Sequence, residues 1–347
     1  MGLQIGELVP KKNIRIENLR GKVIAIDAFN ILYQFLANIR QLDGTPLMDN
    51  KKRVTSHLSG IFYRTVNLIQ KGIKPVFVFD GKPPGLKSVT AKQRAERKEK
   101  AKEKYEEAKK KGIEADMFKY ARQTIQLNEE MISESKEIVE ALGLPVIQAP
   151  SEGEAQAALL AKKDAFTVIS QDYDALLFGA PRLIQNLTLS RRRKLASGAY
   201  IPIEPELIEL DKVLNSLQIN HDQLICLGIL SGTDFNPGGI KGIGPKKALE
   251  LVKKYKQPVL IFRAVQKQLS QASLEMPFNW QEIFEIFKKP NVIKEYIINF
   301  KAPDEEKLKK ILCQEHDFSE ERVDNALKKL HEAKEARKQQ NLDKYFS

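Results

Sequence analysis

The chain has only two cysteines in 347 residues, together with one tryptophan and four histidines. Cys226 and Cys313 lie in apolar helical patterns and are too few for a disulfide framework, so a reduced, intracellular protein is expected. His57, His221, His316 and His331 have no zinc-ligand spacing to one another or to the cysteines. No window approaches the roughly 18 uninterrupted apolar residues of a membrane span. The start, MGLQIGELVPKKN, lacks the apolar core of a secretory signal, and Gly6 stands where a myristoylation motif needs Ser or Thr. Acidic residues are also in short supply, 45 against 57 basic ones, for a net charge of +12. Such an excess favours a polyanionic partner, of which nucleic acid is the commonest. No membrane or secretion segment is expected.

A hydrophobic content of 42% is enough for one large core or two modest ones. Strands and helices alternate. The run KVIAID (22–27) leads into NILYQFLANIR at helical spacing. The segment 54–72 reads as a helix closed by Gly72, and KPVFVFDGKPPG (74–85) as a strand entering a turn. LPVIQAP and AFTVIS are further strands. This order predicts an α/β fold with a doubly wound, mainly parallel, twisted sheet and helices on both faces. From INHDQLICLGIL onward the chain is mostly helical; after about residue 330 it is polar and expected to be disordered until its last few residues.

The scarce acids fall in a pattern. Asp27 and Asp80 end strands, Glu152 and Glu154 open the helix after LPVIQAP, and Asp172 and Asp174 follow TVIS. Each has an ordinary explanation: Ser151 with Glu154 spells a capping box, Asp27 and Asp172 suit N-caps, and Asp80 before Gly81 suits a turn. Capping does not explain why every acid sits at the same end of its strand. In an open parallel sheet those ends form one edge, where ligands bind. Carboxylates meeting there repel unless cations neutralise them. Oxygen donors without His or Cys suit Mg²⁺ or Mn²⁺, and so many suggest two ions roughly 3.5–4 Å apart clamping a phosphodiester.

Past Asp80, Lys87, Arg94 and Lys98 share one face of a charged helical stretch that could point back over such a site. Downstream, GGIKGIGPKKALELVKKY (238–255) sets glycines, Pro245, Lys246 and Lys247 at a helix start, a backbone arrangement that attracts phosphate without reading bases. Pro245 stands where a P-loop needs Lys. Asp234 in SGTDF is a seventh candidate ligand.

IAIDAFNILYQFL, VFVFDGKPPGLK, APSEGEAQAALL, SQDYDALLFG and LSGTDFNPGGIKGIGPKKAL, in this order, resemble the successive blocks of the flap endonucleases, XPG-type structure-specific 5′ nucleases, in an archaeal-like form. The resemblance implies a PIN-like nuclease core over residues 1–330, with a helical arch in an N-region of about 1–115. A helix–two-turn–helix element at about 224–256 would lie in an I-region of about 116–330, and 331–347 would be a flexible tail. It implies a monomeric, Mg²⁺-dependent 5′ flap endonuclease and 5′-3′ exonuclease cutting at flap/duplex junctions in Okazaki-fragment maturation and repair. Asp27, Asp80, Glu152, Glu154, Asp172, Asp174 and Asp234 would then hold two Mg²⁺, with Mn²⁺ as a possible substitute. Lys87 and Arg94 would contact the scissile phosphate. Tyr33 would stack on an unpaired base, Arg40 would face DNA nearby, and Gly242, Gly244, Lys246 and Lys247 would hold the duplex. The loop 238–244 is one residue longer than the common form, which leaves its K⁺ ligands open. In QQNLDKYFS, Gln339, Leu342, Tyr345 and Phe346 resemble the sliding-clamp (PCNA) binding box, with three apolar groups on one helical turn. A rival of another class, a non-catalytic adaptor between branched DNA and the clamp, needs the tail and glycine loop but not the acids. A HAD-like phosphatase fails because Phe29 stands where its second Asp belongs.

Overall fold

In the computed structural model, which describes residues 3–41, 44–82, 85, 88–111, 114–121, 124–187, 192–194, 200–271 and 273–346, alternating sequence segments do become alternating strands and helices. The first half runs β1 (Lys12–Asn13), β2 (Val23–Asp27), α1 (Ala28–Asn38), α2 (Ser56–Gln70), β3 (Lys74–Phe79), α3 (Ser88–Lys111), α4 (Glu114–Ala121), α5 (Glu129–Ala141), β4 (Val146–Gln148) and α6 (Gly153–Lys163). There follow β5 (Thr167–Ile169), α7 (Asp174–Leu177), β6 (Arg182–Gln185), β7 (Arg192–Lys194), β8 (Tyr200–Pro202), β9 (Glu206–Glu209) and α8 (Leu210–Leu217). The last part is helical: α9 (His221–Ser231), α10 (Pro245–Tyr255), α11 (Pro258–Gln271), α12 (Trp280–Lys288), α13 (Glu305–Lys309), a π-helical turn (Lys310–Glu315) and α14 (Glu320–Phe346).

Seven strands form one sheet in the order β1-β9-β6-β5-β2-β3-β4. The five strands from β6 to β4 are parallel, so their carboxyl ends share one edge, and β9 and β1 add an antiparallel border. Side chains on a strand alternate between faces, and here they sort into two separate cores. Ile24, Ile26, Phe77, Phe79 and Ile169 pack with Leu32, Phe62 and Ile138 on the α1, α2 and α5 side. Ala25, Val76, Val78 and Val168 pack with Leu160 and Leu227 on the α6 and α9 side. Both faces are covered, as a doubly wound sheet requires.

Helix α2 is two residues shorter at its start than the sequence pattern, and it ends just before Gly72, whose φ of 84° only glycine adopts at no cost. The charged stretch after Asp80 is two helices, α3 and α4, with Ala101, Ala108 and Ala121 buried. Lys87 lies outside the described residues, and Arg94 is on α3 with its side chain outside the description. The tail differs from expectation: α14 runs to Phe346, so 331–346 is helical rather than irregular. Its Ala, Glu, Lys, Arg and Gln are strong helix formers, and propensity overrides the low apolar content.

Five side chains from three stretches of the chain close a largely buried ionic cluster between α2, α5 and the π-helical turn. His57 Nε2 lies 3.0 Å from Glu134 Oε2, and His316 Nε2 lies 3.1 Å from Glu134 Oε1. His316 Nδ1 lies 3.3 Å from Asp49 Oδ2, which also accepts from Arg53 Nε at 2.8 Å. His57 is fully buried and His316 is 3% exposed. No spacing in the sequence announces this cluster.

Candidate active site

The parallel sheet brings the acids together by a simple route. Asp27 is the last residue of β2, and Asp80 follows the last residue of β3, its neighbour in the sheet. Glu152 and Glu154 follow β4, and Asp172 and Asp174 follow β5. All six therefore stand at the carboxyl edge. Asp27 and Asp174 are buried at 5% and 4% exposure, while Asp80, Glu152, Glu154 and Asp172 keep part of their surface open.

Specific donors orient Asp27, Asp80, Glu154, Asp172 and Asp174. Asp27 caps α1, its Oδ1 accepting from the Asn30 N–H at 3.1 Å. Asn30 also donates from Nδ2 to Asp172 Oδ2 at 2.9 Å and accepts from the Gln171 N–H at 3.1 Å. Asp80 Oδ1 accepts from the Gly153 N–H at 2.6 Å, at the positive end of α6. A Cβ at Gly153 would lie 2.4 Å from that oxygen, so only glycine permits the approach. Ser170 Oγ donates to Glu154 Oε1 at 2.9 Å. Asp174 Oδ1 accepts from the Leu3 N–H at 3.2 Å, which brings the start of the chain to the site.

The ordinary capping readings fare unevenly. Asp27 is an N-cap as well as a rim residue. Ser151 and Glu154 form no capping box, because Glu152 is the N-cap of α6 and makes no side-chain cap bond. Asp172 does not cap α7, whose N-cap is Tyr173. Capping therefore does not account for Glu152, Glu154 or Asp172.

Electrostatics singles out Glu154. Burial raises its pKa well above the carboxylate range, and the charges of Asp174, Asp27 and Asp172 raise it further, against a smaller opposing effect from the Ser170 hydroxyl. Four carboxyl groups from three strand ends thus feel one another. Among the described residues, no three acidic, imidazole or thiol groups gather into a ready-made metal cage. The acids ring the mouth instead, and one hydrogen bond uses one of about four lone-pair sites on a carboxylate. An all-oxygen donor set under mutual repulsion fits a hard divalent cation, which relieves that repulsion.

Asp234 lies in the Thr233–Asn236 turn after α9. Helix α9 packs on α7 through Gly228, where Leu177 would meet a Cβ at 2.8 Å. The chain from 232 to 244 then doubles back to α10. Gly239, at φ 57°, lies where a Cβ would be 2.3 Å from the Leu230 carbonyl. Gly242 has φ 83°, and Gly244 is the N-cap before Pro245 at the first helical position. Lys246 and Lys247 are exposed on that first turn, Lys247 Nζ standing 3.5 Å from the Gly242 carbonyl and Lys246 Nζ 3.7 Å from Glu7 Oε2.

Tyr33 is 41% exposed on α1. Arg40 donates from Nε to the Leu36 carbonyl at 2.8 Å and from Nη1 to the Gly44 carbonyl at 2.7 Å, so it braces the turn after α1. Gln339, Leu342, Tyr345 and Phe346 lie on α14 with side chains outside the description. Sequence reasoning missed Asn30 and Ser170. The signal for Asn30 was its place one helical turn after Asp27; Ser170 sits two residues before Asp172.

Residues 4–101 match the family description XPG N-terminal domain, and residues 143–234 match XPG I-region. The chain is 52% identical to flap endonuclease 1 of Thermococcus onnurineus over 348 residues, covering 100% of this chain and 99% of that one. Against flap endonuclease 1 of Aeropyrum pernix the identity is 47% over 354 residues, with 100% of both covered. The solved flap endonuclease-1 from Methanococcus jannaschii superimposes with a TM-score of 0.75 at 43% identity, covering 96% of this chain and 98% of that one. The catalytic core of Rad2 in complex with DNA substrate has a TM-score of 0.70 at 24% identity, covering 95% and 100%, and shows a shared fold.

Proposed function

The chain belongs to the flap endonuclease family of XPG-type nucleases, and from that premise we propose that it is a Mg²⁺-dependent, structure-specific 5′ flap endonuclease and 5′-3′ exonuclease serving Okazaki-fragment maturation and DNA repair. The observation that carries the reading is the acidic rim: Glu154 with Asp174, Asp27 and Asp172 around it at the carboxyl edge of the sheet. Asp27, Asp80, Glu152, Glu154, Asp172, Asp174 and Asp234 would hold two Mg²⁺. When bound, such ions supply Lewis acidity to the phosphodiester and activate water.

The chain's own residues supply the rest. Asn30 holds Asp27 and Asp172 in fixed relation, and Ser170 orients Glu154. Lys87 and Arg94, which follow Asp80 in the sequence, would offset charge on the scissile phosphate. Tyr33 offers an exposed aromatic face to an unpaired base. The glycine turn and first turn of α10 grip backbone phosphates, so duplex binding is sequence-independent and weakens with salt.

A 5′-labelled flap substrate tests this directly. Cleavage at the flap/duplex junction is expected with Mg²⁺ and is abolished by EDTA, whereas binding survives. Binding without cutting under both conditions would favour the non-catalytic adaptor instead.

The spacing of Leu342, Tyr345 and Phe346 within one turn of sequence, with Gln339 one turn before, suits a hydrophobic groove on a sliding clamp. Deleting residues 338–347 is expected to remove clamp stimulation of cleavage and leave the unstimulated rate unchanged. Equal stimulation of the truncated chain would dispose of this assignment.

A further inference from the structure

Between α12 and α13 the chain crosses the protein without helix or strand, over residues 289–304. It is nevertheless fastened along its length. At one end, Gln156 on α6 closes a two-bond amide clamp on a single strap residue. Its Nε2 donates to the Ile293 carbonyl at 2.9 Å and its Oε1 accepts from the Ile293 N–H at 2.8 Å. Three residues on, the Tyr296 hydroxyl bonds Asp164, the C-cap of α6. At the far end, the Lys301 N–H donates to the Gly143 carbonyl at 2.8 Å and the Asp304 N–H to the Ala141 carbonyl at 2.7 Å. The lengths agree: three extended residues span about 10 Å, close to the about 12 Å rise of the eight helical residues from 156 to 164. The strap therefore lies along α6.

Gln156 is fully buried. A buried amide that bonds both the N–H and the C=O of one residue cannot turn or slide without leaving donors and acceptors unsatisfied. Its own N–H donates to the Glu152 carbonyl at 3.2 Å, so the clamp is joined through one helical turn to the acid at the start of α6. Glu154 lies two residues before Gln156, on the opposite side of the helix, since successive residues turn by about 100°. The clamp thus grips α6 on the side away from Glu154. The strap's other attachment is α12, where Phe287 contacts Phe178 and Phe235 at 4.8 and 5.3 Å between ring centres. Phe235 adjoins Asp234.

We infer that Gln156 is a positioning residue for the reaction: through Ile293 of the strap it fixes the axial setting of α6, and so holds Glu152 and Glu154 in register with Asp27, Asp172 and Asp174. The inference rests on the nuclease reading of that rim. It adds that the strap couples the helices around Asp234 to the acids on α6.

Two variants test it on a flap substrate, with single-turnover rate, substrate KM, Mg²⁺ half-activation and Tm measured together. Gln156→Leu keeps the volume but neither bond; its kcat is expected to fall about 10- to 100-fold, as when outer-shell partners of metal ligands are removed. Its KM should stay within about twofold, and its Mg²⁺ half-activation should move to higher concentration. Tyr296→Phe loosens the strap at the other end of α6; its kcat should be normal even where Tm falls. A Gln156→Leu kcat equal to wild type, or rate losses in both Gln156→Leu and Tyr296→Phe that simply track Tm, would overturn the positioning role. Absence of Mg²⁺-dependent cutting by the wild-type chain would instead sink the nuclease reading itself.

Discussion

Asp172→Ala and Asp174→Ala are each expected to lower the rate of flap cleavage by on the order of 10³-fold or more while leaving flap binding within a few fold. The magnitude follows from the charge that the rim is placed to offset: removal of a single preorganised electrostatic group at a reacting centre costs about 10²–10³ in rate, and a lost ligand removes part of a metal's hold as well. Binding should survive because the contacts proposed to grip the duplex come from elsewhere, the glycine turn and the start of α10. A second readout separates this from a folding defect. Glu154 is burdened by Asp174, Asp27 and Asp172, so Asp174→Asn removes one repelling charge while its side-chain oxygen remains able to accept from the Leu3 N–H. In EDTA that variant should melt at or above the wild-type temperature although it cannot cut. Sites that hold like charges together for function give up stability to do so. Wild-type cleavage by either alanine variant would remove that residue from the metal site. A fall in Tm that accounts for the lost rate would mark it as structural.

The rim was legible in the sequence because both of its causes are local. An apolar run of strand length followed at once by an acid fixes where that acid lies on the strand, and parallel order then aligns the ends. Asp27 and Asp80 needed nothing more, and only Ser170 and Gln171 separate Asp172 from its strand. Glu152 and Glu154 were legible for the same reason, although their capping-box alternative had to be dismissed by geometry: Ser170, sixteen residues on, holds Glu154 instead of Ser151. What could not be read is contact between distant segments. The antiparallel border from β9 and β1 depends on pairing across nearly two hundred residues, Lys12 against Leu207. The Leu3 N–H reaching Asp174, and the clamp of Gln156 on Ile293, are likewise long-range and leave no period or spacing behind. The helical tail was misread for another reason: low apolar content argues against a packed core, yet a run of strong helix formers needs no core to hold helical dihedrals.

The histidines show the same limit and yield the second large effect. Glu134→Gln is expected to cost on the order of 1–2 kcal/mol of stability near pH 6: its carboxyl is held at about 2 against an ordinary 4.5, each pKa unit is worth about 1.4 kcal/mol, and solvent screening of this half-buried group discounts the full shift. Burial pushes this carboxyl up, and the hydrogen bonds and charges of His316 and His57 overcome it. Its contribution is therefore complete above pH 4.5 and fades as the pH falls towards about 2. Asp49, also lowered against the push of burial, by Arg53 and His316, changes in the same direction. His316 runs the other way: Glu134 raises it above 6.5 against burial and the Arg53 charge, so its contribution is complete below pH 6.5 and is lost as the pH rises through its folded value. The cluster contributes most between about pH 4.5 and 6.5, where the carboxylates are ionised and His316 is protonated. Denaturant unfolding across a pH series should show that maximum in the wild type and a flatter profile in Glu134→Gln. An unchanged profile would mean that Glu134 and His316 titrate independently, and the cluster would then be a set of neutral hydrogen bonds. Because the cluster fastens the turn that precedes α14 to α2 and α5, alkaline loss should appear first as faster hydrogen exchange in residues 310–318, ahead of the sheet.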